Sequence, residues 1–68
     1  MRAVVISKGE DGYWVAEVPS LPGCISQGRS KPETIDNIRE AIEAWIETAR
    51  AHGTPVPDED FETQVLCI

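Results

Sequence analysis

Apolar and polar positions fall into clear blocks along this chain. Ala3-Val4-Val5-Ile6 is a continuous apolar run closed by Ser7-Lys8, the pattern of a strand buried on both faces. Gly9-Glu10-Asp11-Gly12 is a turn by composition. Trp14 to Val18 is rich in β-branched and aromatic residues and predicts a second strand, antiparallel to the first. Its alternation places Trp14, Ala16 and Val18 on one face and Tyr13 and Val15 on the other, so this strand too is apolar on both sides. Pro19 ends it, because proline cannot donate to a sheet ladder. Pro22 presets φ for a turn and Gly23 supplies the positive φ that a type II turn needs next. Cys24 to Gln27 then returns antiparallel, across a five-residue connection from Pro19 to Gly23. The three strands form a meander ending near Gly28.

From Ser30 the period changes from two to 3.6. Ser30-Lys31-Pro32-Glu33 is a capping box: the Ser30 hydroxyl accepts from the Glu33 N–H, and the Glu33 carboxylate reaches back to the Ser30 N–H. Pro32 sits in the first turn, where N–H groups lack helical partners anyway. Ile35, Ile38, Ile42, Trp45, Ile46 and Ala49, with Ala41 beside them, make one apolar face that packs on the sheet. His52-Gly53 closes the helix, and Pro55 and Pro57 forbid its continuation. Glu62 to Ile68 reads as a fourth strand, apolar on both faces. The expected fold is therefore α+β in the order β-β-β-α-β: a small, mainly antiparallel sheet with one helix on one face. The last strand returns through a right-handed crossover to run parallel.

One helix covers only one side of such a sheet. A second copy of the chain is the simplest cover for the other, so a homodimer or larger is expected. Its interface is drawn from Tyr13 and Val15, or from Trp14, Ala16 and Val18, whichever face the helix leaves free.

Composition narrows the function classes. With 68 residues, positions 1–68 form one domain. Twelve acidic against six basic residues give a net charge of −6, which disfavours direct nucleic-acid binding and suits a basic protein partner. No apolar run nears the roughly 20 residues that span a bilayer, and Ala3 to Ile6 is too short for a signal peptide. Two cysteines are too few for a disulfide framework, so a cytoplasmic protein with reduced thiols is expected.

The ordered features from Tyr13 to Glu59 resemble the HicB-like antitoxin domain of bacterial and archaeal toxin–antitoxin systems. The residues that carry the resemblance are Pro19, Leu21-Pro22-Gly23-Cys24, Gly28, Ser30, Glu33, Asn37, Glu40-Ala41 and the Gly53 to Pro57 exit. The resemblance implies a partial ribonuclease-H-like fold without nuclease activity, which forms homo-oligomers. It also implies binding to a small basic mRNA-cleaving toxin, HicA, whose catalytic histidine is occluded. Many such antitoxins add a C-terminal DNA-binding module, and nothing after the expected fourth strand reads as one. The alternative is a solitary oligomeric scaffold or small-ligand binder of the same fold with no toxin.

The candidate chemistry fits a binding module. A two-metal nuclease of this fold needs a carboxylate on the first strand. Met1 to Lys8 has none, so no catalytic residue, metal or cofactor is expected. Asp36, Glu40, Glu43 and Glu47 line one stripe of the helix, and Asp58-Glu59-Asp60 form an acidic loop. Either could meet a basic toxin. The plainer reading is a solvated face with local pairs such as Asp36–Arg39 and Glu47–Arg50. His52 is placed to complement the helix dipole rather than to act as a base. Cys24 and Cys67 lack metal-ligand spacing and read as small hydrophobes.

Overall fold

The structure is a computed structural model that describes residues 2–58, 66 and 67. Its sheet has the order β1-β2-β3, with β1 Val5–Lys8, β2 Trp14–Glu17 and β3 Ile25–Gly28, and both pairings are antiparallel. A helix, α1, Lys31–Ala51, crosses one face and leans over β3 more than over β2. The meander and helix are those expected, and the fold is α+β. The expected fourth strand, Glu62 to Ile68, lies outside the described residues except for Leu66 and Cys67, which are exposed and irregular.

Local chemistry explains each joint. In the hairpin, the Cys24 N–H donates to the Leu21 carbonyl at 3.0 Å, and Gly23 has φ +78. This is the type II turn expected at Pro22-Gly23. Two further bonds brace the connection: Leu21 N–H to Val18 carbonyl and Val18 N–H to Cys24 carbonyl, each 3.0 Å. The turn between β1 and β2 is a short 3-10 segment, Glu10–Gly12, with Asp11 at φ 59, a left-handed conformation that aspartate tolerates better than most residues. This turn sets the register Lys8↔Trp14. It draws β1 later in the chain than the apolar run suggested. Ala3 and Val4 precede the strand and are exposed, so the expectation of a first strand buried on both faces does not hold for them.

The helix begins at Ser30, whose hydroxyl accepts from the Glu33 N–H at 3.2 Å. The return half of the capping box does not form; Thr34 instead donates its Oγ1 hydrogen to the Ser30 carbonyl at 2.7 Å. The helix ends in a Schellman motif, with Thr54 N–H bonded to the Ala49 carbonyl at 2.8 Å and Gly53 N–H to the Arg50 carbonyl at 3.2 Å.

The core lies between α1 and the face of β2 that carries Ala16, with Val18, Leu21, Cys24 and Ile38 all buried around it. Ile6, Ala41, Ile42, Trp45 and Val56 pack at its margin. Leu21 is fully buried although it sits in the hairpin connection. The connection folds back under the helix end, where Trp45 Nε1 donates to the Pro22 carbonyl at 3.0 Å. Gly28 is buried where the chain turns into α1. A Cβ there would lie 2.7 Å from Thr34 Oγ1 and 2.9 Å from the Thr34 backbone nitrogen.

Candidate functional site

Three surfaces of different character surround this core. The first is the outward side of α1. Asp36, Glu40, Glu43 and Glu47 recur at offsets of 4, 7 and 11 and all are exposed, so four carboxylates share one narrow stripe opposite the buried face. Neither Asp36–Arg39 nor Glu47–Arg50 forms an ion pair, which corrects the expectation of local neutralisation. The stripe therefore keeps its negative potential. Asp58 is exposed beyond the helix end, while Glu59 and Asp60 lie outside the described residues.

The second surface is an apolar groove of about 640 Å³ between β1 and α1. Val4, Ile6, Ile35, Ile38 and Ile42 line it, and Arg2, Lys31 and Arg39 stand at its rim. Half of the chain's six basic residues thus gather on one side of the helix. Lys31 also sits over the Trp14 ring, 6.0 Å from its centroid, at the outer limit of a cation–π contact.

The third surface flanks the helix on the β3 side. A shallow groove of about 500 Å³ is lined there by Cys24, Ile25, Ala41, Ala44, Trp45 and Thr48, with His52 at one end. On the same side of α1, one turn before Ala41, Asn37 donates its Nδ2 hydrogen to the Gln27 carbonyl at 2.8 Å. Sequence reasoning missed both grooves. Each joins residues far apart in the chain, and no local pattern marks such a pairing.

The residues expected at an oligomer interface separate by face. Ala16 is fully buried beneath α1, so it has no surface to offer a partner. Trp14 shares its face and is half-buried, with the Lys31 ammonium over its ring. Tyr13 and Val15 lie on the face that the helix leaves free, and Val15 has Ser7 and Gln27 as its register neighbours.

His52 and Cys24 border the same groove without forming a catalytic pair. The His52 Nδ1 lies 2.9 Å from the Thr48 carbonyl, which only accepts, so Nδ1 carries the hydrogen and the ring completes the helix end. Burial pushes the Cys24 thiol up from its ordinary pKa, which leaves the sulfur protonated and a poor nucleophile. Among the described residues, no three His, Cys, Asp or Glu side chains gather as a metal site needs, and no helix is long and apolar enough to cross a membrane.

Comparison with known proteins places this arrangement. The family model described as HicB-like antitoxin of bacterial toxin–antitoxin system matches residues 3–65. A UPF0150 protein of Thermoplasma acidophilum is 49% identical over 59 residues, covering 87% of this chain and 86% of that protein. A UPF0150 protein of Synechocystis is 46% identical over 65 residues, covering 96% of this chain and 82% of that protein. Among solved structures, the N-terminal domain of Burkholderia pseudomallei antitoxin HicB superimposes with a TM-score of 0.68 at 26% identity, covering 96% of this chain and 68% of that one. That family and fold are consistent with a protein that binds rather than catalyses. The hairpin, the capped helix and the glycine-proline exit that carry the resemblance in the sequence are thus the framework of a shared fold, and this chain belongs to the HicB-like antitoxin family.

Proposed function

We propose that this protein is a non-enzymatic antitoxin that binds and neutralises a small basic mRNA-cleaving toxin of the HicA type, and that it works in the cytoplasm as a homo-oligomer. The observation that carries the reading is the unneutralised stripe of Asp36, Glu40, Glu43 and Glu47 on the outward side of α1. An acidic surface speeds encounter with a basic partner and fixes its orientation. The stripe is built on a rigid helix capped at both ends, so its charges keep a fixed spacing. Asp58, with Glu59 and Asp60 after it in the sequence, extends the same charge along the exit from the helix. No carboxylate of β1 is available to a two-metal nuclease, which supports binding over catalysis.

The test is co-expression with a basic open reading frame of HicA size adjacent to this gene. Growth arrest by the neighbour alone and rescue by this protein are expected. Purified partners are expected to associate more slowly as salt rises, because exposed charges are screened beyond about 8 Å at physiological ionic strength. Reversal of the four stripe carboxylates to lysine should slow association. Failure to bind any basic neighbour would favour the solitary-scaffold reading.

A further inference from the structure

The two edges of the sheet are unlike. On the β1 side, Arg2 and Lys8 bracket the strand with charge, and Arg2 and Ala3 already hold partners. β3, Ile-Ser-Gln-Gly, has no charge and no proline within it, the devices that usually protect an edge from pairing, and Arg29 follows it at the turn into α1. Its outward groups follow from the ladder. The Val18 N–H bonds to the Cys24 carbonyl, so by alternation Cys24, Ser26 and Gly28 turn their backbone groups toward β2. Ile25 and Gln27 turn theirs outward. Asn37 occupies one lone pair of the Gln27 carbonyl, which has two. Ile25 itself is 56% exposed, a large aliphatic side chain left at the open edge.

The flank of α1 beside this edge carries small and uncharged side chains, bordered by Glu40 and Glu47 of the acidic stripe. Asn37, Ala41, Ala44 and Thr48 run along it, in a helix whose outward side carries the acidic stripe. From these observations we infer that β3 is the docking edge for a second copy of this chain. The strands pair antiparallel about a twofold axis at Ser26, joining the two sheets into one continuous sheet. In this register Ile25 faces Gln27 of the partner subunit, and the two exchange both backbone hydrogen bonds, as does the symmetric pair. Because α1 leans over β3, pairing brings the two helices side by side. Helices pack at about 8–10 Å, the closer spacings requiring small side chains at the contact. Ala41, Ala44 and Thr48 supply them.

Charge separates the strand edge itself from the free face of the sheet. A chain of net charge −6 repels its own copy, so contact is cheapest where no carboxylates meet. The free face with Tyr13 and Val15 also holds Glu17 on the central strand, exposed, so two such faces packed together bring acids into the contact. The β3 edge brings none, and on the helix flank Glu40 and Glu47 stand at the rim of the contact, next to Ala44.

The inference rests on the reading that the protein self-associates, and light scattering during gel filtration under reducing conditions separates the two. Wild type is expected at twice the monomer mass. Gln27→Pro removes one outward N–H from each copy and no bond of the β2–β3 ladder, so it should weaken dimerisation about tenfold or more while far-UV circular dichroism is kept. Ala44→Glu, at an exposed helical position, should do the same by apposing like charges. Val15→Asp, on the free face, should leave the dimer intact. In a Cys67→Ser background, Ser26→Cys should form a disulfide between copies under oxidation, since the two positions meet across the axis. A monomeric wild type overturns both the edge and self-association. A dimer that survives Gln27→Pro and Ala44→Glu, or that Val15→Asp alone dissociates, overturns only the edge and moves the second copy to the sheet face.

Discussion

The two faces of β2 show how differently one strand can be used. Ala16 and Val15 are neighbours in the chain with side chains of similar character. Ala16 is fully enclosed by α1, whereas Val15 stays half-buried on the open side. Alternation alone placed them on opposite faces but did not say which one the helix would take. The decision lies in the crossover. At Gly28 the chain turns into α1 with no room for a Cβ beside Thr34, and beyond that turn Ile38 packs in the same core as Ala16. The covered face then holds the buried core, and the free face of β2 stays accessible to water.

Substitutions sharpen this contrast. The largest effect is expected from Ala16→Asp against Val15→Asp. A carboxylate at position 16 is buried without a partner and should abolish cooperative thermal unfolding. At position 15 it can reach water, and the melting curve should shift by only a few degrees. Equal damage at both positions would refute the assignment of faces. Ile38→Ala comes next, with an expected loss of about 2–5 kcal/mol in urea unfolding, because Ile38 is 2% exposed and its removal leaves a cavity under β2. Leu21→Ala should fall in the same range, which would show that the hairpin connection is core and not surface loop.

Gly28→Ala tests the crossover. The added methyl would meet the Thr34 backbone, which cannot swing aside like a side chain end, so a loss of about 1–3 kcal/mol is expected. A neutral result would show that the entry into α1 has room to spare. The smallest effect belongs to Ser30→Ala, which removes one capping hydrogen bond from an exposed helix start and should cost about 1 kcal/mol. In a domain of this size that is a drop in Tm of roughly 4–8 °C.

These contrasts also show what could be read from the sequence. The type II turn, the N-cap at Ser30 and the closure at Gly53 were legible because each depends on a few adjacent residues. The helix face was legible because its period repeats through 21 residues. The burial of Leu21 was not, since a leucine between Pro19 and Pro22 looks like loop until Trp45 is seen anchored to the Pro22 carbonyl. The start of β1 was displaced because its register answers to the turn at Asp11 rather than to its own apolar run. Of the interaction surfaces, the acidic stripe was visible as helical spacing on a single element. The groove beside β3 was not, because β3 and α1 each contribute part of it.

The burial of Cys24 has a practical corollary. The residue is 3% exposed and its thiol pKa is raised by burial, while Cys67 on the same chain is exposed. A disulfide reagent should therefore modify the two in sequence, with Cys67 reacting at once and Cys24 waiting for the hairpin to lift from the helix. The delay between them measures how often this small domain opens, without denaturant and in the presence of any partner. The lag of Cys24 therefore reports directly whether a bound partner slows the opening of the fold.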